Sequence, residues 1–206
     1  MKRMFPVLLV TILINFISIS FSVNAARAED FIDIPDNWSK TVILEAVSND
    51  LLTGNGNRIM PDAELKRCEM AAIINRAFGA AERGDIRKFT DIPDGKWYVD
   101  DIAKAVRMGT FKGDGNLMRP EDPITRQEAF VVLAHVLKLT TDDYSSLDKF
   151  TDKSQVSKWA KPGTAALVSA GYVKGSRGKL NPQAKITRAE FAQLMYNIIR
   201  TYIKTR

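Results

Sequence analysis

Ile124-Thr125-Arg126-Gln127-Glu128 and Ile186-Thr187-Arg188-Ala189-Glu190 place a threonine three residues ahead of a glutamate, and an apolar stretch follows each. This is the capping-box spacing. The hydroxyl accepts the third amide of a helix while the carboxylate reaches back to the amide of the capping residue itself. Helices are therefore predicted to begin at both sites, with Thr125, Glu128, Thr187 and Glu190 as structural caps and Ile124 and Ile186 as hydrophobic staples. Downstream, Val132, Leu133, Val136 and Leu137 match Leu194, Met195, Ile198 and Ile199 at equal offsets from the glutamate. Those offsets keep one helical face apolar. A third copy, Leu65-Lys66-Arg67-Cys68-Glu69, precedes Ile73, Ile74, Ala77 and Phe78. Its capping threonine is a lysine, and loss of such a cap costs about 0.5–2 kcal/mol.

Working upstream, the same frame recurs three times. Each arginine stands six residues after a proline: Pro61, Pro120 or Pro182. Each proline stands seven after a glycine: Gly54, Gly113 or Gly175. Each glycine stands sixteen after a tryptophan: Trp38, Trp97 or Trp159. Ahead of the tryptophans lie Phe31-Ile32-Asp33, Phe89-Thr90-Asp91 and Phe150-Thr151-Asp152. Such self-similarity at a fixed period marks a repeat architecture.

Between tryptophan and glycine, Ile43, Ala46 and Val47 match Ile102, Ala105 and Val106, with Leu167 and Val168 in the third copy. That stripe predicts a first helix in each repeat. Gly109 and Gly171 stand where a left-handed cap ends it, and Asp50 takes that place in repeat one. Asn55-Gly56-Asn57, Asp114-Gly115-Asn116 and Ser176-Arg177-Gly178 read as turns. The fold class is thus all-α, three helix-loop-helix repeats. One helix pair buries too little surface to stand alone, so the three are expected to pack as one unit.

The N-terminus reads differently. Lys2 and Arg3 precede a nearly uncharged run from Pro6 to Val23, followed by Ala26-Arg27-Ala28. This order predicts a secretory signal peptide over 1–28. Repeats one, two and three then occupy 29–82, 83–143 and 144–206, with nothing else attached. Removing Lys2, Arg3 and Arg27 lowers the net charge from +6 to +3. That charge is not clustered as a nucleic-acid partner requires. No second apolar run of spanning length follows, so no membrane partner is expected after cleavage. Cys68 is the only cysteine, which excludes an internal disulfide, and it reads as a small semi-buried side chain. One cysteine and one histidine, His135, also argue against a metal site. His135 aligns with Arg76 and Asn197 and is expected to be exposed. No nucleophile motif or Cys–His pair suggests an enzyme, and no cofactor is expected.

The Ile-Thr-Arg-x-Glu motif, with the Phe-x-Asp, Trp, Gly and Pro frame ahead of it, resembles the S-layer homology domain from Phe31 to Tyr202. The resemblance implies a pseudo-threefold, three-pronged helical bundle. It also implies a secreted chain held in the cell wall, S-layer or envelope. Its ligand would be a secondary cell-wall polysaccharide, often bearing pyruvate-ketal N-acetylmannosamine, or modified peptidoglycan. An envelope scaffold or adaptor that binds a protein partner is the alternative.

On that basis Arg67, Arg126 and Arg188 are expected to bind a glycan carboxylate beside a helix N-terminus. Pairing with a neighbouring acid is their other possible role. Trp38, Trp97 and Trp159 either stack on sugar or belong to the core. Asp33, Asp91 and Asp152 either meet sugar hydroxyls or cap the first helices. Gly54, Gly113 and Gly175 supply positive φ or a close backbone approach to the ligand.

Overall fold

The computed structural model describes residues 27–204, and the signal-peptide reading falls almost wholly outside that range. Six α-helices follow in order: α1 (Lys40–Ser48), α2 (Arg67–Phe78), α3 (Val99–Arg107), α4 (Arg126–Val136), α5 (Lys161–Ser169) and α6 (Arg188–Lys204). Each repeat supplies two. Among the described residues, isolated bridge pairs stand in place of strands.

The first helices end as the glycines require. Gly109 and Gly171 have φ of 71° and 79°, and Asp50 adopts 54°. Each is followed by the backbone bonds of a Schellman cap, for example Gly109 N–H to Val106 O at 3.0 Å and Thr110 N–H to Ala105 O at 3.1 Å. The three turns close as tight hairpins, with Asn55 paired to Arg58, Asp114 to Leu117 and Ser176 to Lys179.

The second helices begin at the motif, but their caps draw on neighbouring repeats. The Arg67 and Cys68 amides donate to Asp122 and Pro120 carbonyls, at 3.0 and 2.8 Å. Arg126 and Gln127 do the same to Ala184 and Pro182, and Arg188 and Ala189 to Ala63 and Pro61. In repeats two and three the next amide meets the predicted box: Glu128 N–H reaches Thr125 Oγ1 at 3.4 Å and Glu190 N–H reaches Thr187 Oγ1 at 3.2 Å. The carboxylates reach back, Thr125 N–H to Glu128 Oε2 at 2.8 Å and Thr187 N–H to Glu190 Oε2 at 3.0 Å. Repeat one keeps half the box. Lys66 N–H donates to Glu69 Oε2 at 2.8 Å, but a lysine side chain offers no acceptor in return.

The helices do not pair within repeats. α2 packs on α3, α4 on α5, and α6 returns to α1. Every prong therefore joins the second helix of one repeat to the first helix of the next. The residues ahead of the motif close the centre. Leu65 N–H donates to Ile186 O at 2.9 Å, Ile186 N–H to Ile124 O at 3.1 Å and Ile124 N–H to Leu65 O at 2.9 Å. All three side chains are fully buried, so they are the hub of one core rather than local staples. The apolar stripes read from sequence face this core: Ile43, Ile74, Ile102, Leu133, Leu167 and Met195 are all buried.

Candidate functional site

Three open grooves of about 410, 470 and 510 Å³ lie between the prongs. Each is assembled from all three repeats. Arg188 lines one groove with Glu69 and Gly54 of repeat one and Trp97 of repeat two. Arg67 lines the second with Glu128 and Gly113 of repeat two and Trp159 of repeat three. Arg126 lines the third with Glu190 and Gly175 of repeat three and Trp38 of repeat one. Sequence spacing revealed the equivalent residues but not that members of one groove come from different copies.

The arginines lie on the groove floors, their side chains 11%, 11% and 5% exposed for Arg67, Arg126 and Arg188. Each pairs with the glutamate of the following repeat. Arg67 Nη1 reaches Glu128 Oε1 at 3.2 Å, Arg126 Nη1 reaches Glu190 Oε1 at 2.9 Å and Arg188 Nη1 reaches Glu69 Oε1 at 3.1 Å. Each Nε donates to a backbone carbonyl: Met118 at 2.9 Å, Leu180 at 2.8 Å and Ile59 at 2.8 Å. The expected bidentate fork is thus already partly occupied from within. The neighbouring helix N-termini are occupied too, since their first amides serve the carbonyls described above. The glutamates exceed their predicted capping role: Oε2 caps the helix and Oε1 holds an arginine.

The aspartates do not cap the first helices. Asp33 accepts the amides of Ile59 and Met60 at 2.7 and 2.9 Å. Asp91 accepts those of Met118 and Arg119, and Asp152 those of Leu180 and Asn181. The carbonyls of Ile59, Met118 and Leu180 are the ones that take an arginine Nε. Each aspartate therefore positions an arginine through one intervening residue. It also ties down Met60, Arg119 or Asn181, whose φ values of 53°, 54° and 51° are unfavourable for a side-chain-bearing residue.

The glycines face inward as well as lining the grooves. A β-carbon on any of them would collide with the ring of Phe31, Phe89 or Phe150, so the close approach is to the phenylalanine that opens the repeat. Gly113 and Gly175 have positive φ, and Gly54 does not. The tryptophans are surface residues, 62%, 62% and 55% exposed for Trp38, Trp97 and Trp159, which excludes the core reading.

Two other expectations change. His135 is half-buried in the Arg67 groove, its Nδ1 enclosed without a partner, and burial draws its imidazole below the ordinary range. Cys68 is fully buried rather than semi-buried, and burial pushes its thiol up to about 11. Among the described residues, no cluster of three or more His, Cys, Asp or Glu could hold a metal ion.

The carboxylates give the fold a pH dependence. Burial pushes Glu128 up, but hydrogen bonds from Thr125 and the charge of Arg67 outweigh it and hold the carboxyl below its ordinary value of 4.5. Burial pushes Asp33 up, but the Ile59 and Met60 amides outweigh it and hold it below 3.8. Depressed folded values mean the stabilisation is complete above the unfolded values and drains away as pH falls through the folded ones. Thermal melts should be level from about pH 7 to 5 and fall below about pH 4. A melting temperature that rises between pH 5 and 3 contradicts these assignments.

A profile described as "S-layer homology domain" matches residues 88–130 and 149–192. The chain is 30% identical over 178 residues to "Exoglucanase XynX" of Acetivibrio thermocellus, covering 84% of this chain and 16% of that protein. It is 34% identical over 175 residues to the "Surface-layer 125 kDa protein" of Lysinibacillus sphaericus, covering 82% and 14%. It is 33% identical over 86 residues to a "Cellulosome-anchoring protein" of Acetivibrio thermocellus, covering 41% and 19%. The chain thus spans less than a fifth of the length of each of these relatives. The profile covers repeats two and three, while the longer alignments take in most of the chain.

Proposed function

The chain belongs to the S-layer homology domain family, and from that membership we propose that it anchors at the cell surface by holding an anionic polysaccharide of the wall in its inter-repeat grooves. The family is one of binding and anchoring modules, and the matched relatives include a surface-layer protein and an anchoring protein. The enzyme among them is matched over a small part of its length. Secretion and envelope localisation follow from the same membership.

The observation that carries the reading is the threefold recurrence of one groove chemistry. A charged arginine lies on the floor, an exposed indole stands on the wall, and cations outnumber carboxylates by one in each lining. The arginine offers charge to a carboxylate such as a pyruvate ketal. The indole face suits the apolar face of a sugar ring. Single contacts of this kind are modest, but a repeating polymer engaged at more than one groove gains from effective concentration. The paired glutamate keeps the empty groove from leaving a bare buried cation.

The test uses purified walls before and after removal of the secondary polymer. The mature protein should be retained on intact walls and lost from stripped ones. Equal retention on stripped walls rules out the polymer and points to peptidoglycan. Retention that follows a copurifying envelope protein instead points to an adaptor.

A further inference from the structure

The three grooves share a plan but differ at one peptide and one side chain. Every nitrogen of Arg188 is engaged once: Nε donates to Ile59 O at 2.8 Å, Nη1 to Glu69 at 3.1 Å and Nη2 to Thr53 O at 2.7 Å. Arg67 and Arg126 pair with polar groups through Nε and Nη1 and lie over the Phe111 and Phe130 rings at 5.3 and 5.6 Å, while their Nη2 groups donate to no described residue.

The cause lies in the backbone before the groove glycine. Gly113 and Gly175 have φ of 70° and 69°, whereas Gly54 lacks the positive value. The peptide ahead of Gly54 is therefore set differently, and its Thr53 carbonyl points at the arginine. In the other two grooves the matching Lys112 and Lys174 carbonyls take no arginine among the described residues. The residue carrying that carbonyl differs as well. Thr53 has no charge, while Lys112 and Lys174, both groove-lining and exposed, carry one. The other cation of the Arg188 groove, Arg76, is already engaged. It donates to Leu51 O at 3.0 Å and faces Asp50 and Asp101.

We infer that the grooves divide their ligands: those of Arg67 and Arg126 take the acidic sugar, on an open Nη2 and the adjacent Lys112 or Lys174, while the Arg188 groove, which presents a carbonyl acceptor, does not. Lys112 and Lys174 are the specificity-determining residues. This rests on the wall-glycan reading above and says where the anion sits within it.

The experiment is calorimetric titration of the mature protein with the pyruvate-ketal methyl glycoside of N-acetylmannosamine. The stoichiometry should be close to two. Lys112→Thr and Lys174→Thr should each weaken one site by about tenfold to hundredfold, the range for a lost charge-assisted hydrogen bond. Arg76→Gln should leave both sites intact. Because Lys112 and Lys174 are exposed, the variants should melt with the wild type. A stoichiometry of three, or a site lost in Arg76→Gln, overturns the division while wall retention still supports the anchor. No binding of the ketal sugar to the wild type overturns both the division and the ketal ligand.

Discussion

Replacing Glu128 by alanine should destabilise the protein by about 3–5 kcal/mol, measured by urea denaturation of residues 29–206. Two consequences of the change act together. Arg67, with its side chain 11% exposed, loses the carboxylate that balances its charge. Helix α4 loses the acceptor for the Thr125 amide, half of a capping box. Glutamine is not a rescue. The site needs two acceptor oxygens, one towards Thr125 and one towards Arg67, and an amide has one oxygen and a nitrogen that repels the guanidinium. Glu128→Gln should therefore keep less than half of the lost stability. Adding Arg67→Met to Glu128→Gln should cost less than the sum of the single changes, because the uncompensated cation leaves with its partner. Additive losses would show that the pair is not coupled.

Gly113→Ala should destabilise by about 2–5 kcal/mol, combining overpacking with an unfavourable backbone. The new methyl would overlap the Phe89 ring and lie 2.7 Å from Leu117 O, at a φ of 70°. Gly115→Ala separates the two contributions. Its φ is 59° but nothing lies within 4 Å of the added carbon, so it should lose only about 1–2 kcal/mol. Equal losses at the two positions would show that the Phe89 contact is not close-packed.

The local devices were legible because they are written within a few residues of chain. The capping boxes, the left-handed stops at Gly109 and Gly171, and the apolar stripes all formed as spacing predicted. What spacing did not convey was partnership. Periodicity says which face of α1 is apolar, but not that α6, rather than α2, covers it. The connectors are short enough for either neighbour. The same gap explains the site. Thr125 and Glu128 read as a finished pair, and nothing local shows that the second oxygen of Glu128 serves Arg67, 61 residues away in sequence. Asp91 stands upstream of a helix and invites a capping role, yet its partners are Met118 and Arg119 in the loop beyond that helix. His135 aligned with polar residues, which suggested exposure. Those counterparts, Arg76 and Asn197, instead reach loop carbonyls at Leu51 and Tyr172.

The hub formed by Leu65, Ile124 and Ile186 has a consequence for how such a molecule can change size. Each of these residues gives one amide and takes one, and the circuit is complete after three. A duplicated or deleted unit would leave a donor, an acceptor and an unclad helix at the break. Loss of any one copy is therefore felt by both others at once, because each depends on two neighbours to close the circuit.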